Sequence, residues 1–184
     1  MKYAYSYLKE RKVRGKVLFD AIKPYLESND RFLDINCGYS PLAELILKDK
    51  YDILGFDINY IPINFLRKYY PKGRWNCVSL KDANFKGFSV FLLLGFSILS
   101  DGIDFKTFLN CLLDNNKPRI VLTEVYKNPQ ESLQPIYRIS YNETLQLLTD
   151  KNYKQIAFGE YNAKMNIASL RIYSIWKKIQ KVIM

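Results

Sequence analysis

The sequence predicts an α/β fold: an open, mostly parallel sheet with helices on both faces and an antiparallel hairpin at the carboxyl end. Three observations carry this reading. Apolar runs of strand length alternate with stretches of helical periodicity from Arg31 to Glu124. Within that region, Arg31 to Asn59 reads as strand, glycine turn, helix and strand, with each strand ending in an acid, Asp34 and Asp57. The chain then closes on two β-forming runs, Lys154 to Tyr161 and Ser169 to Trp176, joined by a short loop at one sheet edge.

A first helix is expected over Lys16 to Glu27, because Val17, Leu18, Ala21, Ile22, Tyr25 and Leu26 recur at helical spacing. Ser28-Asn29-Asp30 supplies turn chemistry before the first strand, Arg31 to Ile35. After Gly38, Ser40 is expected to cap a helix with Pro41 at its first position, running to about Lys48. The second strand is Asp52 to Phe56, ending at Asp57, and Pro62 is expected to open the next helix. Strands follow at Trp75 to Ser79 and at Phe88 to Leu94, the latter apolar on both faces as a central parallel strand should be. A helix marked by Phe105, Phe108, Leu109, Leu112 and Leu113 leads to the fifth strand, Arg119 to Glu124. A polar loop, Asn128 to Pro135, and a helix around Asn142 to Thr149 precede the hairpin.

At 184 residues with 48% hydrophobic content, one domain over 1–184 is expected, with residues 1–27 as a basic, helical, substrate-side segment and 28–184 as the core. The three cysteines are widely spaced, without a CxxC pair, which argues against a disulfide framework and against a zinc site. No histidine is present, so Ser-His-Asp and Cys-His nucleophilic sites cannot be built. No metal site is expected. No apolar run is long enough to span a bilayer and no secretory h-region follows the first lysine, so a cytoplasmic protein without membrane association is expected. The net charge of +10 makes a polyanionic partner plausible, and Tyr3 to Arg14 interleaves tyrosines with lysines and arginines as a nucleic-acid contact would. Nothing in the sequence sets an oligomeric state.

In open parallel sheets, ligands bind beyond the carboxyl ends of the strands, where strand order reverses. Asp34, Asp57, Asp82 and Leu94-Gly95 all fall at such ends. Gly38 permits a close backbone approach, and Asp57 is spaced to accept hydrogen bonds from ribose hydroxyls. The G-x-G-x-x-G fingerprint of nicotinamide-binding domains is absent.

The run Asp34-Ile35-Asn36-Cys37-Gly38-Tyr39-Ser40-Pro41-Leu42-Ala43 resembles the first motif of class I S-adenosylmethionine-dependent methyltransferases, whose fold is Rossmann-like. The resemblance covers nearly the whole chain. It implies S-adenosyl-L-methionine as cofactor, held by Asp34, Asn36, Cys37, Gly38, Tyr39, Ser40, Asp57, Ile58, Asp82, Ala83, Leu94 and Gly95. Asn36 and Ser40 stand where that family commonly carries glycine, and Ser89 where it often carries an acid. Over one short stretch, Cys37 to Ala43 also resembles a variant found in some ribosomal RNA guanine methyltransferases.

Methyl transfer from a sulfonium is accelerated by positioning, so no dedicated base is obligatory. Glu124, Tyr126, Tyr137 and Tyr141, at or beyond the fifth strand, are the residues able to face an acceptor. The resemblance implies a methyltransferase acting on nucleic acid, RNA ahead of DNA, or on a small metabolite. Its alternative is a non-catalytic module that binds S-adenosylmethionine or a nucleotide on the same fold.

Overall fold

Apolar side chains on both faces of the central strands require cover on both sides, and among the described residues five helices supply it around one seven-stranded sheet. The computed structural model describes residues 2–94, 105–126, 140–164 and 168–179. Elements follow in the order α1 (Lys2–Ile22), β1 (Arg31–Ile35), α2 (Ala43–Lys48), β2 (Asp52–Asp57), α3 (Tyr60–Tyr69), β3 (Arg74–Cys77) and β4 (Val90–Leu94). They continue with α4 (Phe105–Asn116), β5 (Ile120–Tyr126), α5 (Tyr141–Asp150), β6 (Tyr153–Lys164) and β7 (Ala168–Lys178). Sheet order is β3-β2-β1-β4-β5-β7-β6. Strands β1 to β5 pair in parallel, and β7 inserts antiparallel between β5 and β6. The expected fold class is therefore observed, and strand order reverses between β1 and β4.

Two cores separate by strand parity, since successive side chains alternate faces. Leu33, Ile35, Leu54, Phe56, Phe91, Leu93 and Val121 pack on the face covered by α4 and α5. Phe32, Ile53, Val90, Leu92, Leu94, Ile120 and Leu122 pack on the face covered by α1, α2 and α3. By the same parity Asp34, Asp57, Glu124 and Arg171 project towards the α1 face.

Several element ends differ from the sequence expectation for identifiable reasons. Ser40 does not cap α2; Leu42 holds that position without a side-chain bond, because the Ser40 hydroxyl donates instead to buried Asp34 (2.5 Å). Helix α3 begins two residues before Pro62: the Asn59 side chain accepts from Ile61 N, and Pro62 sits within the first turn, where its missing N–H costs nothing. Helix α5 opens on a reciprocal capping box between Ser140 and Glu143. Ser89 bridges the amino ends of β1 and β4, accepting from Arg31 N and donating to Asp30. It lies at the opposite end of the sheet from the acids that close β1 and β2.

Helix α1 is longer than its apolar periodicity indicates, starting at Lys2 and passing into a 3-10 turn at Lys23–Tyr25. It runs antiparallel to the central strands. Arg14 reaches Glu124 near the carboxyl end of β5, whereas Lys23 pairs with Asp49, ahead of β2. Arg11 lies at the level of Ser40, so residues 2–10 continue about 13 Å past the carboxyl edge of the sheet.

Gly15 fixes how closely α1 approaches the turn after β1. A Cβ there would sit 2.1 Å from the Pro41 carbonyl oxygen, which belongs to backbone and cannot swing away. Helix propensity alone favours alanine over glycine by up to about 1 kcal/mol. The contact reverses the sign. Gly15→Ala is expected to destabilise the protein by about 1 to 3 kcal/mol, the range for overpacking, read as a lowered urea midpoint; a raised midpoint would refute the contact.

Candidate cofactor-binding site

The turn after β1 is built from alternating left-handed residues: Asn36 (φ 55°), Gly38 (φ 48°) and Ser40 (φ 40°). Such angles suit glycine and, less well, asparagine; a serine needs compensation. Ser40 is fixed by its bond to Asp34 and by its amide, which donates to the Cys37 carbonyl (2.7 Å). The two residues standing where the resembling family carries glycine therefore adopt backbone angles that glycine favours.

Asp57 holds the turn from the other side. Its carboxylate accepts from Gly38 N (2.7 Å) and from Asn59 N (2.8 Å), tying the β1 turn to the start of α3. Cys37 N donates to the Phe56 carbonyl (2.8 Å), adding a second link between the two strand ends. A Cβ built on Gly38 would meet no atom within 4 Å, so the turn faces open space there. Ile58 is exposed next to Asp57, and Val78 N, just past β3, donates to the Asp57 carbonyl. Asp82 is exposed in the turn that follows, its amide donating to Ser79 O, while Ala83 is half-buried against the α4 side.

Asp34 is 1% exposed. Burial pushes its carboxyl up to about 7, against the opposing pull of the Ser40 hydroxyl and of the nearby Arg14 and Arg11 guanidiniums. Cys37 is buried, and burial drives its thiol well above the ordinary range, so it packs and does not act as a nucleophile. Tyr39 stacks edge-on against Phe65, with the Arg11 guanidinium over both rings.

The acceptor-side residues are placed differently from one another. Glu124 is 1% exposed, and its carboxylate is gripped by Arg14 (Nε to Oε1 2.8 Å, with the second nitrogen on Oε2) and by Arg171 (3.1 Å). Tyr141 lies at the first turn of α5, and its hydroxyl exchanges hydrogen bonds with the Gln155 side chain. Tyr126 ends β5. Its side chain, Tyr137, Gly95 and the 128–135 loop lie outside the described residues. Leu94 closes β4, buried beside Glu124 in the parallel register. Sequence reasoning missed Arg11, Arg14 and Arg171, for which only the basic character of the first segment was a signal. Among the described residues no cluster of acids and cysteines could hold a metal ion, and no helix is long and apolar enough to cross a membrane.

Neither a protein-family model nor a curated protein matches the sequence. Solved structures do match. A methyltransferase from Methanosarcina mazei described as S-adenosylmethionine-dependent superposes with a TM-score of 0.68 at 16% identity, over 87% of this chain and 97% of that one. The chain has the class I methyltransferase fold. Magnesium protoporphyrin IX methyltransferase from Synechocystis, solved with S-adenosylhomocysteine, gives a TM-score of 0.69 at 10% identity over 95% and 84%. The cyclase SpnF, which is not named as a methyltransferase, gives 0.68 at 10% identity over 92% and 81%.

The raised Asp34 carboxyl fixes the sign of a pH effect. Between about pH 4 and 7 the folded state holds a proton that the unfolded chain, with an ordinary carboxyl near 3.8, has released. Stability therefore falls as pH rises through that window and levels off above it, with a slope from this group approaching 1.4 kcal/mol per pH unit, roughly. Asp34→Asn is expected to remove that component from denaturation midpoints measured at pH 4, 5.5, 7 and 8. An unchanged slope in the variant would show that Asp34 titrates normally.

Proposed function

We propose that this protein is a methyltransferase that takes its methyl group from S-adenosyl-L-methionine. One observation carries the reading: on a class I methyltransferase fold, the β1 turn keeps its left-handed angles and is tied through Gly38 N to the acid that ends β2. The residues fit such a cofactor. Asp34 and Asp57 place two acids beside the turn, matching a ligand with a sulfonium and an ammonium. Gly38 leaves open space where the ligand must approach, and each Asp57 oxygen retains a lone pair for a ribose hydroxyl. Ile58 offers an exposed apolar side chain next to that position, with the Asp82-Ala83 loop following β3, as an adenine ring would need.

The bound cofactor would supply an electrophilic methyl carbon. The protein's part is positional: the β1 turn and Asp57 fix the donor, the acceptor approaches from the carboxyl edge, and alignment of the two lowers the barrier. An acceptor atom that gains the methyl group sheds its proton to water or to a neighbouring base. RNA is the acceptor class we favour over a small metabolite. Its support is the net charge of +10 and the continuation of the basic, tyrosine-bearing start of α1 past the carboxyl edge. Methyl incorporation from labelled cofactor into total RNA, with DNA and a metabolite extract as the other arms, decides the acceptor.

Titration calorimetry with S-adenosylmethionine tests the cofactor. Binding is expected, tighter at pH 8 than at pH 6 because a cationic ligand favours ionised Asp34. Asp57→Ala, which releases both Gly38 N and Asn59 N, should weaken it by about tenfold or more. No heat and no thermal stabilisation at millimolar cofactor would end this reading, and unchanged affinity in Asp57→Ala would remove Asp57 from the site.

A further inference from the structure

Between Asp57 and Asp82 the chain carries the cations Arg67, Lys68, Lys72, Arg74 and Lys81, and no acid. Folding places this stretch along one flank of the molecule, because α3 lies against β3, the strand at the sheet edge. Helix α3 leaves the carboxyl edge at Asn59, directly after Asp57, so the flank begins beside the candidate cofactor site and extends about 15 Å from it. Periodicity sorts the helix surface. Pro62, Ile63 and Leu66 are buried against the sheet, while Ile61, Asn64 and Lys68 share the opposite, exposed side at i, i+3 and i+7. Phe65 and Tyr69 lie on the side of the β1 turn, where Phe65 meets Tyr39. Arg67 lies on the β3 side and donates twice to the Trp75 carbonyl.

The acids that approach this flank come from its borders, and each already has a cation beside it. Asp52 holds Arg74 (2.7 Å) and Arg31 (3.0 Å) at once, Glu44, which also faces Tyr70, stands 3.9 Å from Lys12, and Asp82 adjoins Lys81. Among the described residues no acid pairs with Arg67, Lys68 or Lys72, and all three are exposed. Their charge is therefore a surplus beside an Arg31–Asp52–Arg74 group that is itself only half neutralised. Tyr69 is 57% exposed, with the Lys68 ammonium 5.4 Å from its ring centre. An exposed ring beside exposed cations offers stacking and phosphate neutralisation together, the combination that suits unpaired nucleotides; a duplex keeps its base faces enclosed.

This inference rests on the reading of RNA as the acceptor. We propose that the outer surface of α3 and the turn after it bind single-stranded RNA, with Lys68 and Lys72 on phosphates and the Tyr69 ring under an unpaired base. Arg67 adds to the field while its guanidinium stays on the Trp75 carbonyl. Because the flank begins at Asp57, a strand held along it is led to the carboxyl edge, where an acceptor atom must arrive. In sheet order this flank and the Glu124 cluster lie on opposite sides of β1, so the flank governs affinity for RNA and leaves the geometry of transfer to other residues.

Fluorescence anisotropy on the full chain, with a labelled oligouridine and a range of salt concentrations, tests this surface. Lys68→Glu combined with Lys72→Glu is expected to weaken binding by about tenfold or more at low salt. The slope of log affinity against log salt should become shallower by about 1.4, the sum for two lost phosphate contacts on a single strand. Tyr69→Ala should weaken binding by about 5- to 100-fold with the salt slope unchanged, whereas Tyr69→Phe, which keeps the ring, should bind as the wild type does. The lysine pair and Tyr69→Phe keep the test independent of any packing against Phe65 lost in Tyr69→Ala. Lys106→Glu combined with Lys154→Glu makes the same charge change on the surfaces of α4 and β6 and should cost less than about threefold, because screening confines each charge to its own neighbourhood. Equal losses in the two lysine pairs, or wild-type binding by both the Lys68-Lys72 variant and Tyr69→Ala, overturn this surface while leaving RNA as the acceptor. Tighter binding of the matching oligodeoxyuridine assigns the surface to DNA and overturns the proposal. Failure of the wild type to bind the oligouridine, when it does bind S-adenosylmethionine, overturns both this surface and the RNA reading.

Discussion

Two buried carboxylates hold a left-handed turn, and the site at the carboxyl edge depends on them. Asp34 accepts the Ser40 hydroxyl from one side of the turn, and Asp57 accepts the Gly38 amide from the other. These contacts, with the Ser40 amide on the Cys37 carbonyl and Arg11 on the Ser40 carbonyl, hold three residues at positive φ within five positions, the least favourable of them Ser40. The two acids divide the work by environment. Asp57 satisfies two backbone amides, whereas Asp34 is enclosed and held near the point of protonation. Similar residues at equivalent strand ends thus do different work, one tying the turn to α3 and the other enclosed against Ser40.

The second dependence runs through α1. A sheet of this order is complete without that helix, yet Arg11, Arg14 and Gly15 join it to the β1 turn and to the end of β5. Glu124 is held on the α1 face by parity, together with Asp34 and Asp57. The cost of burying Glu124 is met by two arginines, one from each neighbouring element, a geometry in which removing a partner is more damaging than never having had the pair. The residues that bind α1 to the sheet and the residues that give the crevice its charge are therefore largely the same.

Much of this was legible in the sequence where local signals and tertiary packing agree. Strands β1 and β2 are bounded by turn residues and end in acids, and their limits match the sequence reading to within a residue. Ser40-Pro41 shows where agreement fails: the pair has the chemistry of a helix start, but a buried carboxyl six residues earlier competes for the hydroxyl and wins. The Asn59 cap of α3 and the Ser140-x-x-Glu143 box are local capping signals, whereas Pro62 and the apolar spacing point to later helix starts. The Arg14–Glu124–Arg171 cluster was not legible at all. Its members lie 110 and 47 positions apart, and nothing local distinguishes Arg14 from the other basic residues of the first segment.

The fold alone does not select a chemistry, since a cyclase shares it, so the choice of ligand must follow from charge. A dinucleotide would lay its pyrophosphate against the β1 turn, using free backbone amides to receive it. Here the central amide, Gly38 N, already donates to Asp57, and Asp34 and Asp57 stand beside the turn where phosphate oxygens would come. Two acids at that position repel a pyrophosphate and attract a cation. A ligand positive near the turn meets the opposite charge there, and among nucleoside cofactors one that carries a sulfonium has that character. The arrangement of Asp34 and Asp57 thus argues for the sulfonium ligand independently of any likeness in fold.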